Sequence, residues 1–136
     1  MKKSLIVLLI AVIAFSFSTQ QQDIKASIQR GKKVYESTCL ACHQPDGAGV
    51  PRMNPPLIKT KNVLGDKAKL IRTILMGLDE EMEINGELYY NPMPSQPHLN
   101  DQEVADVLTY IRNSFGNKAS MVTTGEVKAI RAKIKK

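Results

Sequence analysis

The residues whose spacing most restricts their chemistry are two cysteines and a histidine, in the run Cys39-Leu40-Ala41-Cys42-His43. On a helical turn, thiols at i and i+3 lie on one side, so both can reach the two vinyl groups of one haem. The imidazole after the second thiol is then carried beneath the iron, where it serves as the proximal ligand. Covalent attachment keeps such a cofactor on the protein outside the cell, where it could not be replaced. Other uses of the motif meet specific obstacles. A thioredoxin-like pair needs a βαβ setting, and no strand-rich pattern surrounds it. A structural zinc site needs four ligands, and the second histidine, His98, lies far along the chain. A plain disulfide leaves His43 without a role.

A second axial ligand has to come from beyond the middle of the chain, on the opposite face of the haem. Met76, Met82, Met93 and Met121 are the candidates. Met76 falls in an apolar helical stretch and reads as core filler. Met82 adjoins an acidic run, and Met121 is near the C-terminus. Met93 sits between Pro92 and Pro94, in a segment (Asn91 to Pro97) where three prolines exclude regular structure. A stiff loop suits a weak thioether ligand that has to stay on the iron in both oxidation states, so Met93 is the expected ligand. His98 is the rival and implies a bis-His haem, although its place before a capped helix favours local packing.

Helical periodicity dominates the elements that must position these residues. Ile24, Ile28, Gly31, Val34, Tyr35 and Thr38 mark one face of a first helix ending at the cysteine motif, with Asp23 as its opening cap. Residues 44–56, rich in proline and glycine, form a loop. Leu70, Ile71, Ile74, Leu75 and Leu78 give the stripe of a middle helix capped by Asp66. Asn85-Gly86 between Ile84 and Leu88 predicts a tight hairpin turn. A last helix opens with the capping-box pair Asn100 and Glu103, with Leu99 stapled on Val104. It shows Val104, Val107, Leu108, Ile111 and Phe115 inward and stops at Gly116. Thr123 and Glu126 cap a short basic helix carrying Val127, Ile130 and Ile134.

The 136 residues suffice for one domain and one core. Lys2 and Lys3, the apolar run Leu5 to Phe17 and Ser16-Phe17-Ser18 are laid out as a secretory signal over residues 1–18. The run is too short to span a bilayer, so no transmembrane span is expected after cleavage. The domain then occupies residues 19–116, with a basic tail over 117–136. Export places it in the periplasm or at the outer face of the cytoplasmic membrane. The net charge of +6, reduced to +4 without Lys2 and Lys3, excludes an argument for nucleic-acid binding.

Gly31-Lys32-Lys33-Val34-Tyr35, the cysteine motif, Pro55, Met93-Pro94 and Val107-Leu108-Thr109-Tyr110 together resemble class I cytochrome c, from about Ile24 to Gly116. Gly47 to Pro51 and Pro55-Pro56-Leu57 resemble the bacterial branch that serves dehydrogenases, reductases and terminal oxidases. The resemblance departs from that branch around Asp79 to Glu87, which is acidic here. It implies an all-α fold, with crossing N- and C-terminal helices, a middle helix and long loops wrapped around one covalently bound haem. It also implies that the Pro55 carbonyl accepts a hydrogen bond from His43 and that Leu57 packs on the haem.

Filled axial positions point to an outer-sphere, one-electron carrier rather than an enzyme such as a peroxidase or a gas-binding haem protein. A haem-containing assembly or sensor subunit is the other alternative. Tyr89 and Tyr90 are read as cover for the distal haem face or as core. Arg30, Lys32, Lys33, Arg52, Lys59 and Lys61 lie near the haem-binding segments in sequence and are read as solvated surface or as steering an acidic redox partner.

Overall fold

The computed structural model describes residues 23–134. The expected signal at residues 1–18 lies outside them, and Asp23, expected to cap the first helix, is the first residue described. Helix α1 runs through residues 23–43 and contains a π turn at Tyr35–Cys39. Next come α2 (Lys61–Leu64), α3 (Lys67–Met76), the antiparallel strands β1 (Met82–Ile84) and β2 (Glu87–Tyr89), α4 (Asp101–Asn113) and α5 (Thr124–Ile134). Among the described residues the fold is helical, with one two-stranded hairpin.

Local signals account for most of these boundaries. The Asp66 carboxylate accepts from the Ala68 N–H at 2.8 Å and opens α3. Asn100 and Glu103 satisfy each other's backbone N–H groups at the start of α4, at 3.0 and 2.8 Å. Leu99 and Val104, the expected staple, are both buried in the core. Asn85 and Gly86 both take positive φ, 54° and 83°, as a two-residue hairpin turn requires. Three expectations need correction. Helix α3 ends at Met76 because Gly77 turns with φ 76°, so Leu78 lies outside the helix and pairs with Met93 instead. Met76 is not core filler: it is 60% exposed, whereas Leu75 beside it is buried. Helix α4 also stops at Asn113, with Phe115 and Gly116 both at positive φ in the turn that follows.

The core joins α1, α3, α4 and α5. Gly31 is buried where α1 crosses α4, and a Cβ there would overlap the Asp106 carbonyl and Tyr110 Cβ. The absent side chain lets the backbones approach. Tyr35, Tyr110 and Phe115 pack beside this crossing with ring centroids 5.3 to 5.6 Å apart. The buried Asp106 carboxylate accepts from Ser27 Oγ (2.6 Å), Arg30 Nε (2.6 Å) and Nη2 (2.9 Å), and Gln102 Nε2 (3.0 Å). Helix α5 packs on α3 and α4, burying Val127 and Ile130, so the segment after residue 116 shares the core. Arg112 reaches from α4 to the carbonyls of Val63 (2.6 Å) and Ser120 (3.0 Å), binding the loops on either side.

Candidate functional site

The end of α1 sets the first side of the site. Its π turn holds one more residue than an α turn, a local expansion common at functional positions. The chain returns to α geometry over Leu40–His43, and the Tyr35 hydroxyl donates to the Gln44 carbonyl at 2.6 Å to close the end. Gly49, with φ +70°, then brings the loop back, and its N–H donates to the His43 carbonyl at 3.1 Å. A Cβ at Gly49 would overlap the backbone of Asn54 and Pro55, so glycine permits this close return. The return leaves the Pro55 carbonyl 3.0 Å from His43 Nδ1. A carbonyl can only accept, so Nδ1 carries the proton and Nε2 keeps its lone pair. Burial lowers the His43 pKa, and the hydrogen bond to Pro55 offsets part of that. Burial thereby favours the neutral imidazole, the form that a metal needs.

Cys39, Cys42 and His43 border a cavity of about 380 Å³. The two cysteines are unpaired, and burial, followed by the neighbouring Cys42, pushes the Cys39 thiol up to about 11. Leu57, Leu70, Ile74, Leu108 and Ile111 supply apolar walls. The segment from Leu78 to Pro94 forms the remaining side and brings in Met82, Tyr89 and Met93. Met93 is held by its backbone: its N–H donates to the Leu78 carbonyl (2.8 Å) and its carbonyl accepts from the Leu78 N–H (2.9 Å). Gly77 is needed beside it, because a Cβ there would overlap the Met93 carbonyl. Met82 Sδ accepts from Asn62 Nδ2 at 2.9 Å.

Of the residues singled out from the sequence, Cys39, Cys42, His43, Pro55, Leu57 and Met93 all line this one cavity. His98 is exposed and does not line it. Tyr89 lines the cavity, whereas Tyr90 is exposed. None of Arg30, Lys32, Lys33, Arg52, Lys59 and Lys61 lines it; Lys69, Glu80, Glu81 and Glu83 do. Asn117, one residue past the expected domain end, went unnoticed in the sequence. Its side chain binds the Leu57 and Ile111 carbonyls (2.9 and 2.8 Å) and the Lys59 N–H (2.7 Å), fixing the loop that carries Leu57. No spacing rule signals an asparagine in that role. The set of donors, two free thiols and a neutral imidazole at the edge of an apolar cavity, fits a covalently attached haem.

The family model for cytochrome c matches residues 28–115, and the chain belongs to that family. As a member it binds haem c covalently and carries electrons. Cytochrome c-552 of Thermus thermophilus is 36% identical over 112 residues, which cover 76% of this chain and 85% of that protein. The cytochrome c subunit of the quinone alcohol dehydrogenase of Gluconobacter oxydans is 33% identical, over 74% of this chain. The gluconate 2-dehydrogenase cytochrome c subunit of Pantoea cypripedii is 36% identical, over 76%. The match covers only 22% and 24% of those two subunits. Among the described residues no helix is long and apolar enough to cross a membrane.

Proposed function

We propose that this chain is an exported one-electron carrier of a respiratory or dehydrogenase-linked chain, with Cys39 and Cys42 as the haem thioethers and His43 and Met93 as the axial ligands. The observation that carries this reading is the cavity that gathers all four residues and excludes His98. When bound, the haem supplies an Fe(III)/Fe(II) couple.

The protein residues do the rest. The Pro55 carbonyl orients His43 and makes its Nε2 more basic. The Leu78 pairing fixes Met93 so that a weak thioether keeps its place in both oxidation states. Leu57, Leu70, Ile74 and Leu108 exclude water, which favours a high potential. With His43 and Met93 both holding the iron there would be no open site for a substrate, which supports a carrier without a reaction of its own. Electrons pass at the cavity edge to redox proteins (a dehydrogenase, reductase or oxidase) on the periplasmic side of the membrane. The names of the dehydrogenase subunits among the relatives support this class of partner.

The carboxylates of Glu80, Glu81 and Glu83 at that edge favour a partner that presents basic groups there, rather than the acidic one inferred from the sequence. A potentiometric titration of the holoprotein tests the reading. It is expected to show one electron per chain and, for Met93→Ala, a potential lower by on the order of a hundred millivolts, within the ~0.8 V that axial ligands span. An unchanged potential in Met93→Ala would remove the methionine assignment.

A further inference from the structure

The cavity mouth is bridged by hydrogen bonds that neither ligand side needs for its own fold. The Tyr90 N–H donates to the Arg52 carbonyl and the Asn91 N–H to the Met53 carbonyl, both at 3.2 Å. The Asn91 side-chain amide donates to Asn54 Oδ1 at 3.3 Å. Segment 52–54 runs directly into Pro55, whose carbonyl holds His43. Segment 90–91 runs directly into Met93. The proximal half is already rigid, because Val50 and Asn54 exchange both backbone hydrogen bonds at 2.9 Å. Among the described residues, the other hydrogen bonds of the distal half run towards α2 and α3: Met93 to Leu78, Gln96 N–H to the Ile74 carbonyl at 2.8 Å, and Met82 to Asn62. Among the described residues, the bridge at 52–54 and 90–91 is what joins the distal loop to the loop beneath His43.

We infer that Asn91 and Asn54 form a clasp across the cavity mouth that sets how often Met93 leaves the iron. Both border the cavity, and both are positioning residues: each acts through the loop it holds. The inference rests on Met93 being an axial ligand. A loop tied on one side opens about that side as a hinge, and the clasp restrains its free edge. Local opening of this kind needs only the bonds of the loop to break, not those of the core. Losing one net hydrogen bond raises the open fraction about fivefold.

The test uses the holoprotein and imidazole as the probe. Imidazole takes the iron position only in molecules where Met93 has left, so its apparent affinity scales with the open fraction. Ferric wild-type protein, Asn91→Ala, Asn54→Ala and the double variant are titrated while the weak long-wavelength band of methionine-bound iron is followed. Each single variant is expected to bind imidazole about fivefold more tightly. The double variant is expected to bind no more tightly than either single one, because both remove the same bond. The denaturation midpoint of the whole chain, read by far-ultraviolet circular dichroism, is expected to stay in place. Unchanged imidazole affinity in the single variants would overturn the clasp, as would effects that add in the double variant or an equal loss of global stability. If the wild-type protein lacks the methionine band, the ligand assignment falls and the clasp with it. A band that is present, with unchanged imidazole affinity, removes the clasp alone.

Discussion

At the scale of single residues, the proposed site depends on how the half-buried His43 is aimed. Its Nδ1–H is committed to Pro55, and an alanine at this position removes both the proposed ligand and that anchor. His43→Ala is expected to yield less than a tenth of the wild-type holoprotein, read as haem absorbance per milligram of purified chain; an ordinary yield would contradict the proximal assignment. The cysteine–histidine run was legible because only one chemistry uses that spacing in an exported helical chain. The two prolines flanking Met93 marked it out in the sequence, and its place on the cavity agrees with that. Asn62, Asn91 and Asn117 were not legible, since an asparagine whose side chain bonds a group distant in sequence leaves no periodic trace. Met76 misled for a related reason: it sits at the end of a strongly apolar stripe, yet the helix turns at Gly77 before that face closes, leaving the side chain in water.

At the scale of elements, the α1–α4 crossing and the docking of α5 carry separate loads. Gly31→Ala would push a methyl group into the Asp106 carbonyl, which is backbone and cannot rotate away. Overpacking of this kind is expected to cost about 1–3 kcal/mol, seen as a lower denaturant midpoint with an unchanged slope. Wild-type stability would contradict the crossing described here. Helix α5 starts on a reciprocal cap: Glu126 accepts from the Thr123 N–H at 2.7 Å, and Thr123 Oγ1 accepts from the Glu126 N–H at 3.3 Å. Burial raises the Glu126 pKa, but the hydrogen bonds from Lys67 and Thr123 outweigh it and leave the carboxyl below its ordinary value. A depressed folded pKa means stability that is full above the ordinary glutamate range and lost as pH falls through the folded value. Glu126→Gln is therefore expected to cost about 0.5–1 kcal/mol at neutral pH, the lower part of the capping range because the side chain is 39% exposed. The difference should vanish in acid; a difference that persists there would contradict the linkage. The caps at Asp66, Asn100 and Thr123 were visible in sequence because each is a local pattern of three or four residues. The π turn was not, because nothing in Tyr35–Cys39 distinguishes it from the α-helix around it.

At the scale of the whole molecule, the cavity lies where the core of so short a chain would otherwise be. Its walls come from α1, the loop after it, α2, α3, the hairpin and α4, so several elements share a surface that haem completes. Small domains have little core to spare. Chain made without haem, as Cys39→Ala/Cys42→Ala protein, is expected to show no cooperative thermal transition by far-ultraviolet circular dichroism; a sharp transition would contradict this. The overall helical order followed from hydrophobic spacing, but the packing of α5 into the same core did not, because a short basic helix with three apolar positions reads equally well as a tail. The pairing of loops across the cavity mouth was equally hidden, since it is made mostly by backbone groups. The claim that all of this supports is a haem bound through Cys39, Cys42, His43 and Met93. The most direct measurement is the visible spectrum of the purified holoprotein, ferric and dithionite-reduced, beside Met93→Ala, Met82→Leu and His98→Ala. A low-spin c-type spectrum is predicted, with the weak long-wavelength ferric band present in the wild type, Met82→Leu and His98→Ala and lost in Met93→Ala. A band that survives in Met93→Ala, or a low-spin spectrum without the band that collapses in His98→Ala, would contradict the account.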